Sequence, residues 1–412
     1  MTDSRKFFLK LLPFWLFVFF FKFGAGLHYE MIAPIGIGIL APWVVGALIA
    51  GSSFLQLILD VPAGLLLDRH GYVRMLRLTT LIFALAAVFW WLQLSIASYI
   101  LSVFIGGLGW LFFSPGISAY ILSKTPTEIA GRSIATMDVF ASLGIVAASL
   151  MLAFTVTASV LTTGVIVFCL IVAAFIMLTR TPYDTASVHA EQKIKTQHYH
   201  VRRHRVRDML RAIRKLNPAS GMLLVQGLAA AIFYGAVWFV VPITIASQKA
   251  SIPSIGLGIF DFAVIVLGFL FGKLADKGNY RFLVLAGLLL FSVTGGLLGF
   301  SVSLWFILLG FLATSGEELS GLSLWAWLDR LDATHTEDGL IAGTITFFQD
   351  AGWTIGPLAA GLLYGVIGPS WTIAICAVPI FVVWIVSLFV VRGNFSPAGP
   401  TTHRPHQRRH KG

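Results

Sequence analysis

Several ionisable side chains stand inside apolar runs, where something must neutralise them. Lys22 and Glu30 lie in FFKFGAGLHYE, Asp261 in GIFDFAVIV, and Glu317 with Glu318 in ATSGEELSG, while Asp138 and Asp350 sit near the ends of two further runs. A charge in hydrocarbon costs about 2.5–3.5 kcal/mol on insertion scales, so those that persist face a cavity or a partner. At about 1.5 Å per residue, Lys22 lies roughly 16 Å from Leu11, too deep for its ammonium to reach the surface. It must point into a bundle, toward a carboxylate or an anionic solute. Asp261, Glu317 and Glu318 are the expected partners, ahead of Glu30, which lies nearer the outer face. Neighbouring helical residues point about 100° apart, so at most one of the two glutamates faces a central cavity squarely. Burial favours the neutral form of a carboxyl group, which is what a proton carrier needs. A static ion pair that locks helices together is the other use of such residues.

The elements that carry these groups follow from composition. The chain has 412 residues, 57% hydrophobic and 11% charged, with mean hydropathy +0.87, which marks a polytopic membrane protein. About twelve windows of roughly 20 apolar residues fit an all-α membrane protein, and ten-residue alternation of the barrel kind is absent. Helices are expected over residues 11–33, 42–67, 75–97, 99–122, 133–154 and 160–179, then 219–246, 254–275, 282–300, 303–328, 340–366 and 371–391. The polar stretch between the two sets divides the chain into a six-helix bundle (1–180), a basic linker (181–217), a second bundle (218–392) and a basic, disordered tail (393–412). Arg5, Lys6 and Lys10 ahead of an apolar core imitate a secretory signal, but the second half of the chain requires this segment as a helix.

With both termini cytoplasmic, every lysine and arginine except Lys22 and Lys249 falls on the cytoplasmic side, as the positive-inside rule asks of a prokaryotic plasma-membrane protein. The net charge of +11 is therefore a topology signal, reinforced by attraction to anionic lipid, and it argues against a nucleic-acid partner. In the linker, RVRDMLRAIRKL places Val206, Met209, Leu210, Ile213 and Leu216 at helical spacing among arginines, the pattern of a helix lying on the membrane surface. Cys169 and Cys376 lie in apolar windows without metal or redox spacing and read as packing residues. Gly24 and Gly26 suit close helix contact, and His28 is expected near the outer interface. The histidines of the tail suggest no metal site.

The two halves repeat one another. GLLLDRHGYVR and GKLADKGNYR pair Gly64 with Gly272 and Asp68 with Asp276, an offset of 208. MDVFASLGIVAASL and QDAGWTIGPLAAGL pair Asp138, Gly144 and Leu150 with Asp350, Gly356 and Leu362, an offset of 212. Matching segments at corresponding helices make the halves duplicated six-helix units.

These features resemble the major facilitator superfamily from Leu11 to Val391. The loop after the second helix supplies Gly64, Leu66, Asp68, Arg69, Gly71 and Leu76 in register with the family's G-x-L-a-D-r-x-G-r-k-x-x-l signature; Tyr72 and Val73 replace its basic pair, and Arg74 is displaced by one position. The resemblance implies a gating role for Asp68, more weakly for Asp276 and Arg281, with Asp60 in the same network. It also implies a central cavity lined by the first, fourth, seventh and tenth helices. That places Lys22, Glu30 and one of Glu317 and Glu318 on the cavity, with Gln226, Tyr234, Trp238 and Trp325.

A monomeric secondary transporter of a small solute is the expected function, coupled to protons and favouring export, as in the drug and metabolite proton antiporters that the loop resembles. The fourth helix lacks an arginine, and the glycine-proline pattern stands in the eleventh helix rather than the fifth, which weakens export against uptake by symport. The basic linker motivates a third reading, a non-transporting receptor or scaffold. No Walker sequence, catalytic triad or dinucleotide fingerprint suggests an ATP-driven pump, an enzyme or a cofactor.

Overall fold

A computed structural model describes residues 9–92, 95–125, 130–155, 160–181, 218–247, 257–276, 279–331 and 338–393. The amphipathic linker segment, Lys249 and the basic tail lie outside the described residues. The helices are α1 (Leu12–Ile39), α2 (Pro42–His70), α3 (Tyr72–Leu92), α4 (Ile96–Trp110), α5 (Phe113–Lys124), α6 (Ala130–Thr155) and α7 (Val160–Thr179), followed by α8 (Pro218–Ala246), α9 (Gly258–Asp276), α10 (Tyr280–Leu298), α11 (Ser303–Leu331) and α12 (Asp338–Gly393). Apolar runs of this length become helices because hydrocarbon offers a backbone no hydrogen-bond partner but itself. α4 and α5 together make one crossing, and α12 makes two, divided where Gly368 leaves the helix at φ 78°. The fold is thus twelve transmembrane helices in two pseudo-symmetric bundles of six.

The boundaries depart from expectation where proline and glycine act. α1 runs on past Pro34 to Ile39, because losing one backbone bond costs less in a bundle than ending a helix in the membrane. α2 and α3 are separated by Gly71 alone, at φ 85°, a conformation that side chains other than glycine adopt poorly. The fourth crossing, expected to be continuous, breaks between Trp110 and Phe113, where the Pro115 ring cannot coexist with a helical Leu111 carbonyl. α9 begins at Gly258, so Asp261 stands in its first turn and not mid-helix.

Two ends can be distinguished: a near end, where α1 begins and α2 turns into α3, and a far end, where α1 passes into α2. A core of Phe14, Phe17, Phe21, Phe83, Phe113 and Tyr120 fills the first bundle. The core of the second bundle, with Phe233, Phe239 and Phe291, also takes in Ala33 and Val45 from the far end of the first. The halves meet along α2 with α12, α6 with α9, and α1 with α8. At the far end these contacts obey the internal symmetry. A Cβ on Gly46 would stand 2.5 Å from the Pro357 carbonyl oxygen and 2.9 Å from the Gly361 Cα, and one on Gly258 would stand 3.2 Å from Val146 Cα and Ser149 Cβ. Gly46 and Gly258, like Ser149 and Gly361, are separated by the repeat offset of 212. Toward the near end the packing loosens, and Asp138 and Trp325 are exposed.

Candidate functional site

Glycine sets the position of Lys22. A Cβ on Gly144 of α6 would lie 2.6 Å from the Phe19 carbonyl oxygen and 2.8 Å from Lys22 Cβ, so only glycine allows α6 this close to α1. Gly356 of α12 presses on α8 in the same way, against the Ile232 carbonyl oxygen and Gly235 Cα. The offset that pairs these glycines also pairs Lys22 with Tyr234. The duplicated bundles thus present an ammonium from one half and a phenol from the other.

The Lys22 ammonium stands over Trp110, 4.4 Å from the ring centroid, with Phe113 at 5.6 Å. Such cation–π contacts contribute about 0.5–2 kcal/mol. The carboxylates whose charge acts on Lys22 are Asp261, the stronger, and Asp138. Asp261 also accepts a hydrogen bond from Ser142 of α6, so it ties the second bundle to the first at the level of Lys22. Glu318, an expected partner, interacts instead with Glu317, Asp138 and Asp261.

Both glutamates are partly buried, and the charge of Glu317 acts on Glu318. Tyr234 donates a hydrogen bond to Glu317 Oε2 at 2.6 Å, and the Thr314 hydroxyl lies 3.4 Å from the same phenol. Gln226, buried, donates to Ser320 Oγ at 2.8 Å and approaches the Glu317 carbonyl at 3.4 Å, which fixes α8 against α11. Trp325 lies seven residues beyond Glu318, two turns along the same face, and is 44% exposed. Trp238 packs against the second core. Glu30 is fully buried and accepts from Ser149 Oγ, so it belongs to the seam between α1 and α6, although Asp261 acts on it as well.

Other candidates fall elsewhere. His28 is fully buried, packed on Phe83 and Trp90 with ring centroids at 5.2 and 4.9 Å. Gly24 and Gly26 do face close neighbours, with Cβ positions 3.0 Å from Ile171 Cδ1 and from Ala148 Cβ. Cys376 packs in the core, whereas Cys169 is exposed on α7, contrary to its reading as a packing residue. Arg69, Gly71 and Arg74 cluster at the turn between α2 and α3, and Arg281 opens α10, all at the near end. Gly64, Asp68, Gly272 and Asp276 lie in α2 and α9, with their side-chain surroundings outside the described residues. Asp60 and Asp350 meet each other across the two halves. Sequence reasoning missed Trp110, Ser142 and Gly144 as site residues. Trp110 stands at the last position of α4 and carries no sequence signal of its own; Gly144 was visible only as a repeat match.

The sequence profile of the Major Facilitator Superfamily matches residues 7–336. The chain belongs to the major facilitator superfamily. A second resemblance is partial: Multidrug resistance protein MdtG of Proteus mirabilis (strain HI4320) is 29% identical over 140 residues, which span 34% of this chain and 34% of that protein. In three dimensions this superfamily member is similar to a structure of the xylose transporter XylE from E. coli in a partially occluded inward open conformation. The TM-score is 0.70 at 13% identity, over 93% of this chain and 99% of the other. At that identity the likeness speaks for the fold: an integral membrane protein of two related helical bundles.

Proposed function

We propose that this protein is a secondary active transporter that moves a small solute by alternating access and couples the movement to protons. The observation that carries the reading is the charge balance at the centre. Asp138, Asp261, Glu317 and Glu318 act on one another, and Lys22 is the cation among them in the described residues. An acidic space walled by Trp110, Tyr234 and Trp325 suits a solute with positive charge and apolar surface, because charge attraction and ring faces both favour a cation. Protons and such a solute would compete for the same carboxylates, which makes exchange the natural coupling. We favour export, since part of the chain resembles a protein named for multidrug resistance. The near end, carrying the basic residues, is the cytoplasmic one in this reading. There His70, Arg74 and Arg77 rim a surface groove walled by Leu66, Leu78 and Leu81, which suits the headgroup and chain of an anionic lipid.

Glu318 is the proton-carrying group most open to test, because Tyr234 is already committed to Glu317. In reconstituted vesicles, Glu318→Gln should retain binding of a lipophilic cation at a weakened affinity of roughly five- to tenfold, about 1–1.4 kcal/mol. Solute-driven proton movement should be lost. Unchanged coupling in that variant would remove Glu318 from the mechanism.

A further inference from the structure

Away from the central cluster, Asp60 of α2 and Asp350 of α12 place their carboxyl groups in hydrogen-bond contact with each other. They belong to opposite halves, and α2 against α12 is one of the principal contacts between those halves. Two carboxylates offer only acceptors, so a hydrogen bond between them requires a proton on one. On the elements packed against this pair the titratable side chains include Lys22, His28 and Glu30 of α1, Arg74 and Arg77 of α3, Tyr99 of α4, Tyr234 of α8, and Tyr280 and Arg281 of α10, with Arg69 and His70 further along α2. Among the described residues, the charged group that acts on each of the two carboxyls is the other.

The internal symmetry sharpens the point. Asp350 repeats Asp138, and by the spacing that pairs Gly64 with Gly272, Asp60 corresponds to Gly268. At the equivalent seam between α6 and α9, Gly268 has open space around it, and Asp138 is acted on by Lys22. One seam thus matches its aspartate with a lysine; the other sets a second aspartate in that place, in hydrogen-bond contact with the first.

We propose that Asp60 and Asp350 form a proton-binding site between the halves, holding one shared proton that keeps α2 and α12 together toward the near end. The proton comes from water at that end; when it is bound the pair carries one negative charge, and when it leaves the pair carries two. Two like charges at hydrogen-bond distance repel, so the loss of the proton drives the near ends of α2 and α12 apart. Contact is present at low pH and is lost as pH rises. The site is separate from the central acids, and it works without any solute.

The test follows the distance between spin labels at His70→Cys and Arg281→Cys, one on each half, in the full-length protein in lipid nanodiscs with both native cysteines replaced. Without solute, raising the pH should move the population from a shorter to a longer distance along a curve fitted by one proton. Asp60→Asn and Asp350→Asn each supply an amide donor to the remaining carboxyl and cannot lose it. Both should hold the short distance across the whole pH range, while Glu318→Gln, in the central cluster, should keep the transition. A distance independent of pH in the parent protein would overturn the shared proton, and so would a parent-like transition in either Asn variant that elutes as a folded monomer. Loss of solute-driven proton flux in Glu318→Gln alone would leave this site standing, so the two readings fail separately.

Discussion

Replacing Lys22 by methionine is expected to abolish solute transport and to destabilise the protein by about 1–3 kcal/mol, below the roughly 3–5 kcal/mol lost when a fully buried pair loses one partner, because Lys22 and Asp261 are only partly buried. The ammonium is the cation that Asp261 and Asp138 share among the described residues. Without it, the acidic centre either repels itself or takes up protons, and either outcome shifts the state in which the halves are held together. Asp261→Asn should also destabilise, leaving Lys22 with Asp138 and the Trp110 face. The double variant, Lys22→Met with Asp261→Asn, should recover much of the stability but none of the coupled transport. Thermal unfolding of the four proteins in one detergent measures this cycle; additive losses would show that the two charges do not act on each other. Trp110→Leu serves as a scale, with a smaller loss of about 0.5–1.5 kcal/mol from the cation–π contact.

The second large effect lies at the far end. Gly46→Leu would drive a side chain into the Pro357 carbonyl and Gly361, where even a Cβ has no room. Overpacking of this kind costs about 1–3 kcal/mol. Here the cost falls on one conformation, the one in which the far ends of α2 and α12 touch. At 1.4 kcal/mol per tenfold, the population should shift toward a far-end-open state by roughly 5- to 150-fold. Ala33, buried in the far-end seal, reports it: a cysteine placed there should become reactive to a membrane-impermeant maleimide from the far side in Gly46→Leu and stay unreactive in its parent. Equal protection in both would mean that the helices slide to accommodate the side chain, and that the glycine contact is not a gate.

Much of this architecture was legible in the residues. The apolar runs, their punctuation and the two repeated segments determine the number of crossings and their duplication, because hydrocarbon leaves the backbone so few choices. Lys22 was readable as a charge pointing into the bundle from depth alone. Its partner was not, since the level of Asp261 depends on where α9 begins, and Gly258 starts that helix a turn later than its hydrophobicity suggests. Trp110 was hidden because its contact with the ammonium depends on which faces of α1 and α4 meet. The choice between Glu317 and Glu318 turned on a phenol more than eighty residues away in sequence, and Tyr234 settles the hydrogen bond on Glu317. The contact of Asp60 with Asp350 is likewise a property of which faces of α2 and α12 meet, and no local pattern announces it.

The central claim, that an acidic cavity exchanges a cationic solute for protons, is most directly tested in sealed vesicles containing the purified protein and a trapped pH indicator. A gradient of a lipophilic organic cation, imposed with no initial pH difference and with the membrane potential clamped, should drive protons in the opposite direction, and an imposed pH gradient should in turn accumulate the cation. Solute flux that proceeds with the indicator unmoved would contradict the account.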